Sequence, residues 1–503
     1  MHPRDFLAPV GRALAARDPQ AWFTTFLLVL PLYLLTAHYH VGSVDTQSSV
    51  WPAWQLVHHG NLYMDGFRHP PYWSVLVGHH LVSNRMPATV LVNLPAALLL
   101  YVTGPTLAIG AITAAIMTAA TIATMFLVFR QLASLRTAAV AAALAATGTG
   151  LWTVASTELW THTVDALCLA AAAYMLSRER PWLAGLAFGC AITARPQIAV
   201  VAAVVGIGLG WSKRAWRPMF AIAVPSLVGL VGVVGWNAMV FGHPSISGTY
   251  GSYAAHNLTT LGAADQALGG SGAPTFIAGL VQMVSNLVGF LFSPQRGLLV
   301  FTPLALLLAF GVRSAWREAP AWARIMAVGG LAYTLVQLRI NSFAGGDAFY
   351  GYRLAIELVV CAAPLGVTSF RSWVCREPSR RQLARVFSVA SVALQAAGAF
   401  LFNVKHSSAS DPWHASPLVD ALRSHPSAGF LLLVFSVVAG ALHARGVTLE
   451  HDPHRANRSG DSRVSRRMPS PTLLAVTTLL AGPVIIVGIQ SVTLLGTAHH
   501  VHL

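Results

Sequence analysis

A carboxylate placed just outside an apolar segment can act as general base on an acceptor hydroxyl, provided partial burial holds its pKa in a useful range. Asp45 meets the positional condition, a few residues past an apolar stretch at 22 to 38. The same residue suits a plainer task, because Asp is a favoured N-cap and an interfacial helix is expected to begin near Thr46. On position alone both readings stand. Asp65, inside Met64-Asp65-Gly66, reads as a turn residue. The histidine pairs His58-His59 and His79-His80, and the tail His499-His500 with His502, lack a carboxylate at the helical spacing that would complete a metal site. The four cysteines offer neither a disulfide framework nor zinc spacing. There is no P-loop and no dinucleotide fingerprint, which argues against a nucleotide-driven pump.

The elements that must position these groups are membrane helices. The chain of 503 residues is 55% hydrophobic and only 10% charged, against roughly 25% charged in soluble globular proteins. With a mean hydropathy of +0.60, the sequence excludes a soluble enzyme, a disordered chain and a small secreted module. Apolar spans are expected near 22 to 38, 105 to 129, 137 to 155, 163 to 177, 218 to 241, 297 to 312, 324 to 340, 354 to 370, 386 to 403, 428 to 443 and 471 to 494. Two shorter runs, 182 to 193 and 197 to 211, flank Arg195-Pro196 and read as a hairpin, giving 13 crossings in an all-α polytopic membrane protein. The first span follows a basic stretch without a small-x-small cleavage site and is read as uncleaved.

The net charge of +15 resembles a nucleic-acid signal until the cations are placed. With a cytoplasmic N-terminus the inner loops hold 24 of the 32 Lys and Arg and the outer side 8, which is the positive-inside asymmetry. The charge therefore reads as topology and attraction to anionic lipid, with no nucleic-acid partner. Residues 445 to 470 read as a disordered cytoplasmic linker. The outer loop 39 to 104 carries Trp51, Trp54, Tyr63, Phe67, Tyr72 and Trp73 among polar groups, as expected of interfacial helices.

The spacing Ala53, Leu56, Gly60, Asn61, Leu62, Tyr63 after Asp45 resembles the start of the GT-C membrane glycosyltransferases, including protein mannosyltransferases and lipid A aminoarabinose transferases. Further matches are Glu158 to Thr163, Thr193 to Gln197, Ser293 to Pro303 and Gly345 to Arg353, the last two similar to stretches of uncharacterised actinobacterial proteins of that superfamily. The resemblance covers most of the chain up to about residue 370. It implies a catalytic transmembrane core over 1–370 with extracytoplasmic loops 39–104 and 242–296, followed by C-terminal helices over 371–503.

The resemblance carries the role of base onto Asp45, and implies a polyprenyl-phosphate-linked sugar donor with an inverting displacement. Expelling a lipid phosphate calls for cations near the leaving group. Arg296 and Arg353, where outer loops enter apolar spans, are the candidates, with Arg195 at the hairpin tip a third. Snorkelling, or pairing with Asp347 or Glu357, is the structural alternative. Glu158, His162, Asp65, Asp347 and Tyr350 are candidates for the acceptor cavity, with an inter-helix hydrogen bond the plainer role for His162. Many relatives carry a second acid beside the loop aspartate, whereas Thr46 and Gln47 follow Asp45, so a Mg or Mn site built on paired acids is in doubt. The acceptor would be a cell-envelope glycan, lipid or protein at the outer face of a bacterial cytoplasmic membrane. A lipid or polysaccharide transporter, or a non-catalytic assembly scaffold, are the alternatives; a scaffold predicts that the outer polar residues do not converge.

Overall fold

The computed structural model describes residues 11–246 and 276–427, except 12, 41, 68–70, 72, 103 and 403–411. Helix α1 (Asp18–Thr36) leads into α2 (Val44–His59). A two-stranded antiparallel hairpin follows, β1 (Ser74–Val77) and β2 (His80–Ser83), turning at Gly78 with φ +62°. Two short helices, α3 (Pro87–Leu91) and α4 (Leu94–Leu99), complete the first loop. Then come α5 (Ala108–Leu132), α6 (Leu135–Thr147), α7 (Thr161–Ser177), α8 (Pro181–Ala194), α9 (Ala199–Lys213) and α10 (Trp216–Phe241). The second half comprises α11 (Phe276–Phe292), α12 (Leu298–Phe301), α13 (Ala305–Glu318), α14 (Ala321–Ile340), α15 (Ile356–Ser372), α16 (Pro378–Leu401) and α17 (Pro417–Ser424).

Seven helices among the described residues are long and apolar enough to cross a membrane, and the shorter α6, α8 and part of α11 are also apolar. The expected spans 428 to 443 and 471 to 494, and the linker 445 to 470, lie outside the described residues. The expected loop 242–296 contains a helix, α11. Its Gln282 and Asn286 lower the hydropathy of that stretch, yet Asn286 is buried, donates to Leu338 O at 2.8 Å and so faces protein. The expected span 297 to 312 is interrupted after α12 at Thr302-Pro303.

Helix α5 is the central post, packing against α1, α6 and α7. Its alanines and threonines permit close approach, as expected where packing and inter-helix hydrogen bonds hold membrane helices together. Thr118 Oγ1 donates to Ala155 O at 2.9 Å. That carbonyl belongs to a π-helical turn, Leu151–Ala155, and also accepts from Thr163 Oγ1 at 2.9 Å. Helices α8 and α10 approach so closely that a Cβ on Gly229 would lie 2.1 Å from Gly189 O, a contact only glycine admits.

The polarity of the bundle is plain from its ion pairs. At one end Asp18 faces Arg130 and Arg178 at 4.0 and 3.8 Å, and Glu318 pairs with Arg371 and Arg376 at 3.6 and 2.5 Å. The end of α1, the starts of α5, α7 and α15, and the α8–α9 junction all lie at the other end, where the remaining buried charges gather.

Candidate functional site

Helix α2 begins one residue before Asp45, and its N-cap is Ser43, whose Oγ accepts from Thr46 N at 3.2 Å. Asp45 is therefore relieved of capping. Its carboxylate lies between two guanidiniums instead: Arg353 Nη1 donates to Oδ2 at 2.6 Å, and Arg85 Nη2 donates to Oδ1. Burial pushes the proton affinity of Asp45 up, but Arg85 and Arg353 outweigh it and hold the carboxyl well below the usual carboxylate range. Arg85 had no place among the expected site residues. It follows β2 directly, is 7% exposed, and its guanidinium stands 5.5 Å from the Trp73 ring.

Arg353 is aimed by the segment before α15, where Gly345, Gly346, Ala348 and Gly351 all take positive φ. Three of these are glycines, which tolerate that region; Ala348 at φ +68° is strained. Arg296 holds the segment in shape. Its guanidinium donates to Phe349 O at 2.6 Å and Gly346 O at 3.1 Å, and lies 3.9 Å from the Phe349 ring. At Arg296, expected as a phosphate contact, the guanidinium forms a clamp on backbone carbonyls. Tyr352 adds a second anchor, accepting from Gly150 N at 2.8 Å.

The stretch Glu158 to His162 stitches three groups together. Glu158 Oε2 accepts from Ser43 N and Thr46 Oγ1, both at 2.7 Å, fastening the start of α2. Burial pushes this carboxyl up to about 7, against those hydrogen bonds, with the charge of Asp45 adding to the rise. Its Oε1 is buried without a partner among the described residues. The Trp160 ring supports Arg353, whose guanidinium lies 4.5 Å from its centroid. His162 Nδ1 lies 2.6 Å from Glu357 Oε1.

Arg195, at the α8–α9 junction, turns inward to this second cluster. Its Nη1 donates to Tyr333 OH at 2.8 Å and to Glu357 Oε1 at 3.4 Å, and lies 3.0 Å from His162 Nδ1. Asp165 is fully buried beside Glu357. Four elements, α7, the α8–α9 junction, α14 and α15, are cross-linked here by polar groups near the starts of α7 and α15.

Of the expected residues, then, Asp45, Arg353 and Glu158 converge, with Arg195 and His162 in the adjoining cluster. Besides Arg296, three do not join them. Asp65 is exposed and accepts from Leu81 N and pairs with His80, both at 2.7 Å, a hairpin contact. Asp347 is exposed. Tyr350 is buried in packing, its ring 5.0 Å from Phe301 and 5.7 Å from Phe402. Among the described residues no three His, Cys, Asp or Glu side chains group as metal ligands. Both oxygens of Asp45 are bonded to arginine.

No protein-family model matches the sequence, and no curated protein matches it. The structure is similar to that of ArnT from Cupriavidus metallidurans in the apo state, with a TM-score of 0.51 at 16% identity over 93% of this chain and 76% of that one. It is equally similar to the same enzyme bound to undecaprenyl phosphate, with a TM-score of 0.51 at 15% identity over 92% and 76%. The chain has a GT-C fold. The sequence resemblance to aminoarabinose transferases and the architecture of the GT-C bundle thus agree, and the end of the bundle that carries Asp45 is formed by the loops between its helices.

Proposed function

We propose that the protein is a GT-C glycosyltransferase that moves a sugar from a polyprenyl phosphate to a hydroxyl on a cell-envelope glycan, lipid or protein. The observation that carries this reading is the Asp45 carboxylate held between Arg85 and Arg353 at the loop end of the bundle. A proton acceptor and two phosphate-sized cations there are the groups that a displacement at an anomeric carbon needs. The undecaprenyl phosphate in the structure of the similar ArnT supports the choice of lipid carrier. The convergence of Asp45, Arg353 and Glu158 speaks against a passive scaffold.

In this reading the acceptor oxygen attacks the anomeric carbon from the face opposite the phosphate, inverting the centre, and Asp45 takes the hydroxyl proton. The bond between carbon and phosphate oxygen breaks, and its electron pair leaves with the lipid phosphate. That group passes from one negative charge to two, which the two guanidiniums stabilise. Glu158 and Ser43 fix the first turn of α2 and so the direction of the Asp45 side chain. The basic end, with Arg130, Arg178, Arg371 and Arg376, faces the cytoplasm, and the site faces the other side of the membrane.

The test is binding of undecaprenyl phosphate to purified protein in nanodiscs, followed by transfer assays with polyprenyl-phosphate sugars. The reading requires binding that is lost when Arg85 and Arg353 are both replaced by Gln. Equal binding by parent and double variant removes it.

A further inference from the structure

Resting on the donor site just proposed, a further consequence follows from how Asp45 is held. Each of its oxygens is taken by a guanidinium, Oδ2 by Arg353 at 2.6 Å and Oδ1 by Arg85. A carboxylate so paired has each oxygen committed to a charge-assisted bond and little appetite for an acceptor's proton. Yet both arginines keep a buried Nε–H that no acceptor among the described residues meets. Buried donors of this kind are normally satisfied, and on these two arginines, which flank one carboxylate, they leave hydrogen-bonding capacity that a second anion can use. The charged and titratable groups that face Asp45 are Arg85 from the segment after β2, Arg353 from the segment before α15, and Glu158 from the loop before α7.

We propose that Asp45 and the donor phosphate exchange places on Arg85 and Arg353, the carboxylate standing in for the phosphate until the donor arrives. The arriving phosphodiester takes the guanidiniums by their free Nε–H and terminal N–H groups. Asp45, released, turns an oxygen to the acceptor and regains ordinary proton affinity. The base is thus assembled only when a donor is present, so an acceptor alone meets no activated carboxylate. After transfer the phosphate carries two charges, and Asp45, protonated, cannot reclaim the arginines until its proton has left. Proton loss from Asp45 and departure of the lipid phosphate are thereby linked.

An internal competitor makes a prediction opposite in sign to that of a contact residue. Asp45→Asn removes the competing charge while leaving both arginines in place, so it should bind undecaprenyl phosphate at least about tenfold more tightly than the parent, while failing at transfer. Parent protein that binds while Asp45→Asn binds equally or more weakly overturns the exchange and leaves the donor site standing. If neither binds, the donor site falls and the exchange with it. Should the variant not fold, infrared difference spectra of the parent labelled with [13C]aspartate decide the matter. Undecaprenyl phosphate, and not the uncharged undecaprenol, should shift a carboxylate band out of its ion-paired position. An unchanged band overturns the proposal.

Discussion

Arg353 Nη1 donates to Asp45 Oδ2 across 2.6 Å, joining residues 308 positions apart in the chain. The contact ties the first loop of the protein to the last buried loop of its core. It also gives each of the two residues a role that neither has alone, since the arginine neutralises the carboxylate and the carboxylate holds the arginine over the Trp160 ring.

Replacing Asp45 by Asn should leave expression and fold intact, because Ser43 supplies the cap of α2. Transfer should fall by at least about two orders of magnitude, within the general-base range. Turnover measured with a polyprenyl-phosphate sugar checks this, and near-parental rates would sink the role assigned to Asp45.

Arg296 and Arg353 should behave differently. Arg296→Ala removes the donor beneath Gly346 O and Phe349 O, so it should lower the melting temperature and disable transfer together. Arg353→Ala should melt near the parental temperature, since Arg85 still pairs with Asp45, and should lose lipid-phosphate binding. Thermal melts beside binding isotherms separate the two; a parental melt for Arg296→Ala would contradict the clamp.

A pH signature is expected of Glu158. Its carboxyl is raised to about 7 in the folded protein by burial, so folding favours the protonated form. Stability from this group is full below the unfolded value, near 4.3, and is lost as pH rises toward 7. Glu158→Gln cannot ionise, so it should be more stable than the parent at pH 8, by on the order of 1 to 3 kcal/mol. The difference should vanish near pH 4. An advantage that does not vary with pH would show that the carboxyl is not titrating.

Asp65→Asn should retain most activity. The residue and its partner His80 are both exposed, 41% and 49% at the side chain, and such pairs contribute about 0 to 1 kcal/mol. A loss of transfer comparable to that of Asp45→Asn would place the hairpin in the site after all.

The sequence was most legible where a single physical demand dominates. Long apolar runs must cross a bilayer, and Arg195-Pro196 between two short ones marks the α8–α9 junction. Asp45 stood out through its place after the first span. Its neighbour Ser43 captured the cap instead, a choice between adjacent favoured residues that local preference does not resolve. Arg85 stayed hidden because one arginine in a polar loop carries no pattern of its own, and only the fold of the hairpin brings it to Asp45. The clamp made by Arg296 was hidden for a related reason: its partners are the carbonyl oxygens of Gly346 and Phe349, and carbonyls leave no trace in residue identity.

The cluster around Arg195 has a consequence for how the protein is made. Helix α8 has 14 residues, short of the roughly 20 that span a bilayer, and it meets the 18-residue apolar segment Pro196–Lys213 at a partly buried arginine. Its partners Tyr333 and Glu357 belong to α14 and α15, translated more than a hundred residues later. During synthesis the hairpin must therefore wait, its arginine sheltered by water, lipid headgroups or an insertion factor, until the second half of the chain arrives. Chains that stop before α14 would leave this arginine with only His162 and Asp165 of α7 beside it, a feature by which quality control can tell a finished molecule from an unfinished one.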